Sequence, residues 1–220
     1  MAYEIYWGAG SPNSWRPLLG LEVKRLDYNS NILDFSKKEH QSPEMLAMNP
    51  RGLLPVLKDG DVVVYESIAI LTYLDKKHPD KPLFGTTAEE TAHIWKRIFE
   101  FENYLREAIE GIIRPVFFDD VTDSMDSIEK SASYVEAEFK IIEARLENAY
   151  YVAGDNISAA DIILFPFVQA LLRAMVLKAA EPLDLKFKNF EKNYPNLTQW
   201  LVRIESIPGY DNTYPPNWKD

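Results

Sequence analysis

The chain has no cysteine. Disulfides, thiolate metal sites and C-x-x-C dithiol chemistry are closed to it. Any thiol in its chemistry must come from a ligand. Histidine is scarce too: His40, His78 and His93 are too scattered to form a histidine metal cluster. Positive charge is in deficit, with 24 Lys and Arg against 34 Asp and Glu and a net charge of −10. That balance argues against a nucleic-acid partner, because phosphate-backbone binding needs clustered cations. It also argues against an anionic lipid surface. No run of about 18 apolar residues is present, so no membrane helix is expected. The opening MAYEIYWGAG lacks a charged n-region and a long apolar h-region. No signal peptide is expected, and the expected location is cytoplasmic. There is no internal repeat.

What is present is enough for one large or two small domains: 220 residues, 46% of them hydrophobic. The most informative stretch is NPRGLLPVLKDGDVVVYESIAILTYL, from Asn49 to Leu74. It reads as strand, two-residue turn at Asp59-Gly60, strand, helix. Pro55 interrupts a strand-like run, where proline removes a ladder donor. A cis turn there would direct the backbone of Leu54 toward a ligand. Ser67 stands at a helix start, where free N–H groups and the dipole favour an anion. Glu66 beside it would pair with an ammonium. Together they would receive a zwitterionic amino-acid head group, although Ser67 equally suits a plain helix cap.

In this stretch Asn49, Pro50, Gly52, Pro55, Leu57, Asp59, Gly60, Glu66, Ser67, Ala69, Ile70, Tyr73 and Leu74 all fit one ordered pattern. It resembles the glutathione-binding half of the soluble glutathione transferase family, and further matches point to a serine-type member. The resemblance implies a thioredoxin-like domain with a cis-Pro55. It implies that the Leu54 backbone pairs with the cysteinyl part of glutathione, and that Glu66 and Ser67 hold the γ-glutamyl end. Members that attack through their own cysteine are excluded here. A second match, YVAGDNISAADIILFP, resembles the family's interior capping motif, with Ser158 to Asp161 as the capping box.

The rest of the chain agrees with that architecture. YEIYW at Tyr3–Trp7 reads as a first strand, then a turn and a helix with Leu18, Leu19, Leu21 and Val23 inward. Arg25 to Asn29 is expected as a second strand. Ser42 and Pro43 open a short helix. The order β-α-β then β-β-α is what a thioredoxin-like domain needs. HPDKP ends its last helix, so the first domain is expected at 1–80 and an all-α C-terminal bundle at 87–220. In the bundle, His93 to Phe118 carries Ile94, Ile98, Phe101, Leu105, Ile109, Ile112 and Ile113 on one stripe, with Pro115 kinking or ending it. Ser127 to Tyr150, Ala159 to Leu177 and Leu197 to Ser206 are further helices, the first with Tyr134, Phe139, Ile142 and Leu146 inward. The fold class is thus α/β plus all-α.

A borrowed thiol must be ionised before it attacks. Its reference pKa of about 8.5 leaves only a few per cent as thiolate at neutral pH. A hydroxyl donating to sulfur stabilises the anion, as does a helix N-terminus. The family's serine-type members carry that hydroxyl in a pattern like GSPxSxR, matched here by Gly10-Ser11-Pro12-Asn13-Ser14-Trp15-Arg16. By that match Ser11 is the catalytic donor, with Ser14 next and Tyr6 third. Ser11 also suits a helix cap. Pro17 leaves two helix starts open: at Pro12 it would sit inside the helix, and with Ser14 as N-cap it would sit in the first turn.

Lys37 to Glu44 resembles the segment that receives the glycine carboxylate, which selects His40, then Gln41, with Lys38 as an electrostatic helper. The electrophile pocket is expected between the domains. Its candidate wall is Trp95, Phe99, Tyr104, Phe117 and Phe118, together with the aromatic tail from Tyr210 to Trp218; at helical spacing most of these belong to the core. Glu100, Glu102, Glu107 and Glu110 are expected as a solvated face. The function implied is conjugation of glutathione to small hydrophobic electrophiles. No metal or organic cofactor is implied beyond the co-substrate, and a homodimer is the family default. The alternatives are glutathione-dependent isomerisation, dehalogenation or peroxide reduction, since SPNSWR loosely resembles the isomerase-type SSCSWR, or a non-catalytic binding module.

Overall fold

The computed structural model describes residues 2–118 and 120–219. Its contacts divide the chain into two units: Met1–Phe84 with Glu205–Asp220, and Gly85–Ile204. The last stretch was expected in the helical domain. It groups with the first unit because its aromatic residues pack there.

The first unit runs β1 (Tyr3–Trp7), α1 (Pro12–Lys24), β2 (Tyr28–Ile32), α2 (Pro43–Met48), β3 (Val56–Asp59), β4 (Val62–Tyr65), α3 (Ser67–Lys77). The sheet order is β2-β1-β3-β4. β1 and β2 are parallel, while β3 is antiparallel to β1 and β4 to β3. This is the thioredoxin-like order. α1 packs on α3, and Ile5, Leu18, Leu57 and Leu71 are fully buried.

Three local expectations shift. β2 begins at Tyr28 rather than Arg25, because α1 runs to Lys24 and Arg25 takes a left-handed conformation (φ 55°) that closes it. In the hairpin Asp59 pairs with Val62, so the two-residue loop is Gly60-Asp61. The left-handed position is Gly60 at φ 59°. α1 starts at Pro12, which places Pro17 inside the helix.

The segment 78–83 is tied back by a buried cation. Lys24 Nζ lies 2.8 Å from Asp75 and donates to the carbonyls of His78 and Lys81 at 2.8 and 2.7 Å. Such a charge is tolerable in the interior only when its donors are all used in this way.

The second unit is helical. α4 (Ala88–Glu100) opens with a Thr87–Glu90 capping box. A π-helical turn at Phe101–Leu105 joins it to α5 (Arg106–Phe117). The expected stripe from Ile94 to Ile113 is buried along all three pieces. Pro115 falls in the last turn of α5, where the helix is about to end. α6 (Val121–Leu146) buries Val135, Phe139, Ile142 and Leu146, but Tyr134 points outward at 58% exposure. Val135, one residue on, takes the inward position. α7 (Ala159–Met175) is followed by α8 (Phe190–Asn193) and α9 (Pro195–Glu205). The short α10 (Tyr210–Thr213) belongs to the first unit. Among the described residues no helix is long and apolar enough to cross a membrane.

The α7 N-terminus is a hub. Asp161 is fully buried and accepts from Val152 N–H, Ser158 N–H, Ser158 Oγ and Trp200 Nε1, all at 2.8 to 2.9 Å. Burial pushes its carboxyl up and these donors pull it down. The capping role expected of it is the one observed.

Candidate active site

The register of the sheet brings the sequence candidates together. Tyr6 pairs with Val56, and Val56 with Tyr65. Trp7 pairs with Ile32. The loop after β1, the residues before β3, the start of α3 and the segment after β2 therefore lie at one end of the sheet. They carry Ser11, Leu54-Pro55, Glu66-Ser67 and His40-Gln41.

Ser11 is the N-cap of α1. Its Oγ accepts from the Ser14 N–H at 3.4 Å, and its own N–H donates to the Gly8 carbonyl at 3.2 Å. The hydroxyl hydrogen takes no part in that cap and is left to donate. Ser11 is partly exposed and stands at the positive end of a 13-residue helix. Ser14 is fully buried, and its Oγ accepts from the Gly8 N–H at 3.3 Å. It holds the loop from beneath. Tyr6 lies within the sheet, one residue short of the end of β1, and is partly exposed rather than a core tyrosine. Burial, then the Glu4 and Glu44 carboxylates, push its phenol up. That makes it a poorer stabiliser of an anion.

The Leu54–Pro55 peptide is cis. The loop before it is held by Asn49, which is buried. Asn49 Nδ2 donates to the Leu53 carbonyl at 2.8 Å, and its Oδ1 accepts from Arg51 N–H at 3.1 Å. Glu66 is exposed and has φ 71°, ψ 117°. A non-glycine residue in such a conformation costs about 1–3 kcal/mol and is retained where surrounding structure over-determines it. The Glu66 side chain makes no capping bond to α3. Ser67 follows as the first residue of α3, buried, and accepts from Arg16 Nη1 at 3.2 Å. Arg16 is itself buried.

His40 and Gln41 sit in a short 3₁₀ turn, Glu39–Gln41. The His40 ring stands edge-on to Phe35 with centroids 5.0 Å apart, and its Nδ1 is buried without a hydrogen-bond partner. A buried polar atom left unpaired is costly, so this nitrogen needs a partner, a water or a ligand, that the described residues do not supply. Gln41 is exposed and close to Gly52, whose Cβ would meet Gln41 Cγ at 3.3 Å. Lys38 is exposed with φ 56°.

Sequence reasoning missed the parts played by Arg16, Asn49 and Phe35. Two carried a signal. Arg16 is a cation inside the run WRPLLGL, and Asn49 opens a loop that must be pinned.

The aromatic candidates of the helical unit are not core residues. Phe99, Tyr104, Phe117 and Phe118 are exposed, Phe118 by 79%, and Trp95 is partly covered by Phe99 at 5.6 Å. The spacing argument fails because the isoleucine stripe already fills the inward face. Tyr104 borders a cavity of about 200 Å³ with Arg97, Glu100, Glu138 and Arg145. In the Tyr210–Trp218 tail, Tyr210 and Trp218 are buried and Tyr214 is partly buried, all against Trp15 of the first unit. Of the expected solvated acidic face, Glu107 is exposed, while Glu100, Glu102 and Glu110 join ion-pair ladders: Arg97–Glu100–Arg145 and Glu102–Arg106–Glu110–Arg114. Among the described residues no three carboxylate or histidine side chains come together as metal ligands.

Taken as chemistry, this end of the sheet offers a free hydroxyl at one helix N-terminus, a carboxylate and a serine at another, and an unpaired imidazole nitrogen. Residues 6–82 match the family described as glutathione S-transferase, N-terminal domain, and residues 108–208 match its C-terminal domain. Glutathione S-transferase A of Pleuronectes platessa is 32% identical over 219 residues, covering 97% of this chain and 92% of the relative. Glutathione S-transferase 4 of Zea mays is 33% identical over 175 residues, 78% of each chain. The crystal structure of a glutathione S-transferase from the Antarctic clam Laternula elliptica superposes with a TM-score of 0.85 at 32% identity, covering 100% of this chain and 95% of that one. The chain belongs to the glutathione S-transferase family.

Proposed function

We propose that this protein binds glutathione at the loop end of the sheet, stabilises its thiolate through the Ser11 hydroxyl, and conjugates it to small hydrophobic electrophiles. The observation that carries this reading is the convergence of Ser11, the cis Leu54–Pro55 bond and the Glu66-Ser67 helix mouth through one strand register. The names of its relatives support the glutathione-transferase part of this reading.

The parts divide the tripeptide between them. Glu66 pairs with the γ-glutamyl ammonium. Ser67, steadied by Arg16, and the first amides of α3 take the α-carboxylate. The Leu54 backbone pairs with the cysteinyl unit. His40, then Gln41, receives the glycine carboxylate, with Lys38 adding charge. Ser11 donates to sulfur at the α1 N-terminus, where the dipole also favours an anion. The thiol proton passes to solvent. Sulfur then forms the bond to carbon, and any leaving group departs with its electron pair. No cofactor takes part beyond glutathione. The exposed aromatics of the helical unit, Trp95, Phe99, Tyr104, Phe117 and Phe118, are the candidates for contact with an apolar electrophile. The working assembly is a cytoplasmic homodimer, which sedimentation showing only monomer would remove.

Ser11→Ala tests the reading. It should keep glutathione affinity and lose on the order of 10²-fold in turnover with an aryl halide, the usual cost of removing one donor to a developing anion. Unchanged turnover would refute the serine role.

A further inference from the structure

The turn that presents Ser11 is built on two glycines, and each is covered by a side chain from a distant part of the first unit. A Cβ on Gly8 would run into the Phe35 ring. Gly10 has φ 83°, and a Cβ there would lie 3.2 Å from Asn217 Nδ2 and 3.3 Å from Trp218 Nε1. Glycine adopts either sign of φ with little preference, so beyond the bonds Gly8 makes with Ser11 and Ser14 the turn has little stiffness of its own. The side chains packed against it add to those bonds.

The aromatic residues of the covering tail are seated on Trp15, while Asn217 is exposed at its edge. Trp218 meets Trp15 edge-on at 5.6 Å and is 8% exposed. Tyr210 and Tyr214 meet the same ring at 6.2 and 5.7 Å. Trp15 Nε1 donates to Thr213 Oγ1 at 2.8 Å. The Trp15 N–H, in turn, donates to the Ser11 carbonyl at 3.1 Å. The tail thus grips the first turn of α1 and abuts the residue immediately before Ser11.

We propose that Asn217 and Trp218 are positioning residues for the reaction: by filling the space against Gly10 they fix the turn and aim the Ser11 hydroxyl at sulfur. The proposal rests on the assignment of Ser11 made above. A hydroxyl displaced by about 1 Å can cost up to ~10²-fold in rate without touching substrate affinity.

The test is steady-state kinetics with glutathione and an aryl halide, together with titration of the bound thiol by its ultraviolet thiolate absorbance. Trp218→Ala should lower kcat about 10-fold, raise the pKa of the bound thiol and leave the glutathione KM within about twofold, since Glu66, Ser67 and Leu54 are untouched. Trp218→Phe, which keeps an aromatic ring against Trp15 but loses the Nε1 edge that faces Gly10, should recover only part of kcat. In a Ser11→Ala background Trp218→Ala should add nothing, because both act on one hydroxyl. Wild-type kcat and thiol pKa in Trp218→Ala would overturn the proposal, as would an equal loss in the Ser11→Ala background. If Trp218→Ala does not fold, Asn217→Ala decides on the same readouts. Full turnover in Ser11→Ala sinks the serine assignment and this proposal with it; loss there but not in the tail variants sinks the tail alone.

Discussion

Two serines open two helices in this molecule, and they do different work. Ser158 at α7 is buried, and its N–H and hydroxyl both engage Asp161, which also holds Val152 and Trp200. Ser11 at α1 is partly exposed and accepts one long bond, with its hydrogen unspent. Capping chemistry is common to both. What separates a structural cap from a candidate catalytic one is leftover hydrogen-bonding capacity at an accessible helix end.

The comparison can be broken most easily at its structural side. Asp161→Ala strands four buried donors and should destabilise the protein by more than about 3 kcal/mol, read as a lower denaturant midpoint. A loss below about 1 kcal/mol would make the two caps equivalent. Ser11→Ala should do the reverse, costing at most about 1 kcal/mol of stability while removing most turnover. Glu66→Gly sharpens the contrast from another direction. Relief of the φ 71° backbone should stabilise the fold by about 1 kcal/mol, while loss of the carboxylate weakens glutathione binding in calorimetry. A destabilised variant with unchanged affinity would show that this conformation serves the fold instead.

The smallest effect concerns pH. The hydrogen bond from Lys77, then that from Tyr73, holds the Asp59 carboxyl below its usual range. A depressed pKa means the folded state prefers the ionised form. The stability this adds is present above the unfolded value near ~3.9 and is lost as pH falls through the folded value. Asp59→Asn should therefore flatten the acid limb of the stability profile, and an unchanged limb would refute the assignment. The site lies at the other end of the sheet, so its turnover should be unaffected.

The two regions also differ in how far the sequence revealed them. The hairpin, the capping box and the isoleucine stripe were legible because each is a local pattern with one physical solution, whereas the cis proline was implied by the family resemblance. The position of the chain's last stretch was not. Periodicity and composition mark Tyr210 to Trp218 as aromatic but carry no information on which surface it covers, and only the pairing with Trp15 places it. The outward aromatics of α4 and α5 misled for a related reason: helical spacing defines a stripe, but two stripes compete, and isoleucine won the core. Arg16 was visible in its motif, yet its contact with Ser67 spans 51 residues and needed the packing of α1 on α3. The start of α1 depended on whether Pro17 is tolerated inside a helix, which local preference alone could not decide.

The most direct test of the account is glutathione titrated into the wild-type protein, with binding heat and thiolate absorbance followed together across pH. Saturable binding is expected, with the bound thiol ionising well below its free value near ~8.5 in the wild type and closer to it in Ser11→Ala. Absence of heat on adding glutathione, or an unshifted thiol in the wild-type complex, would contradict it.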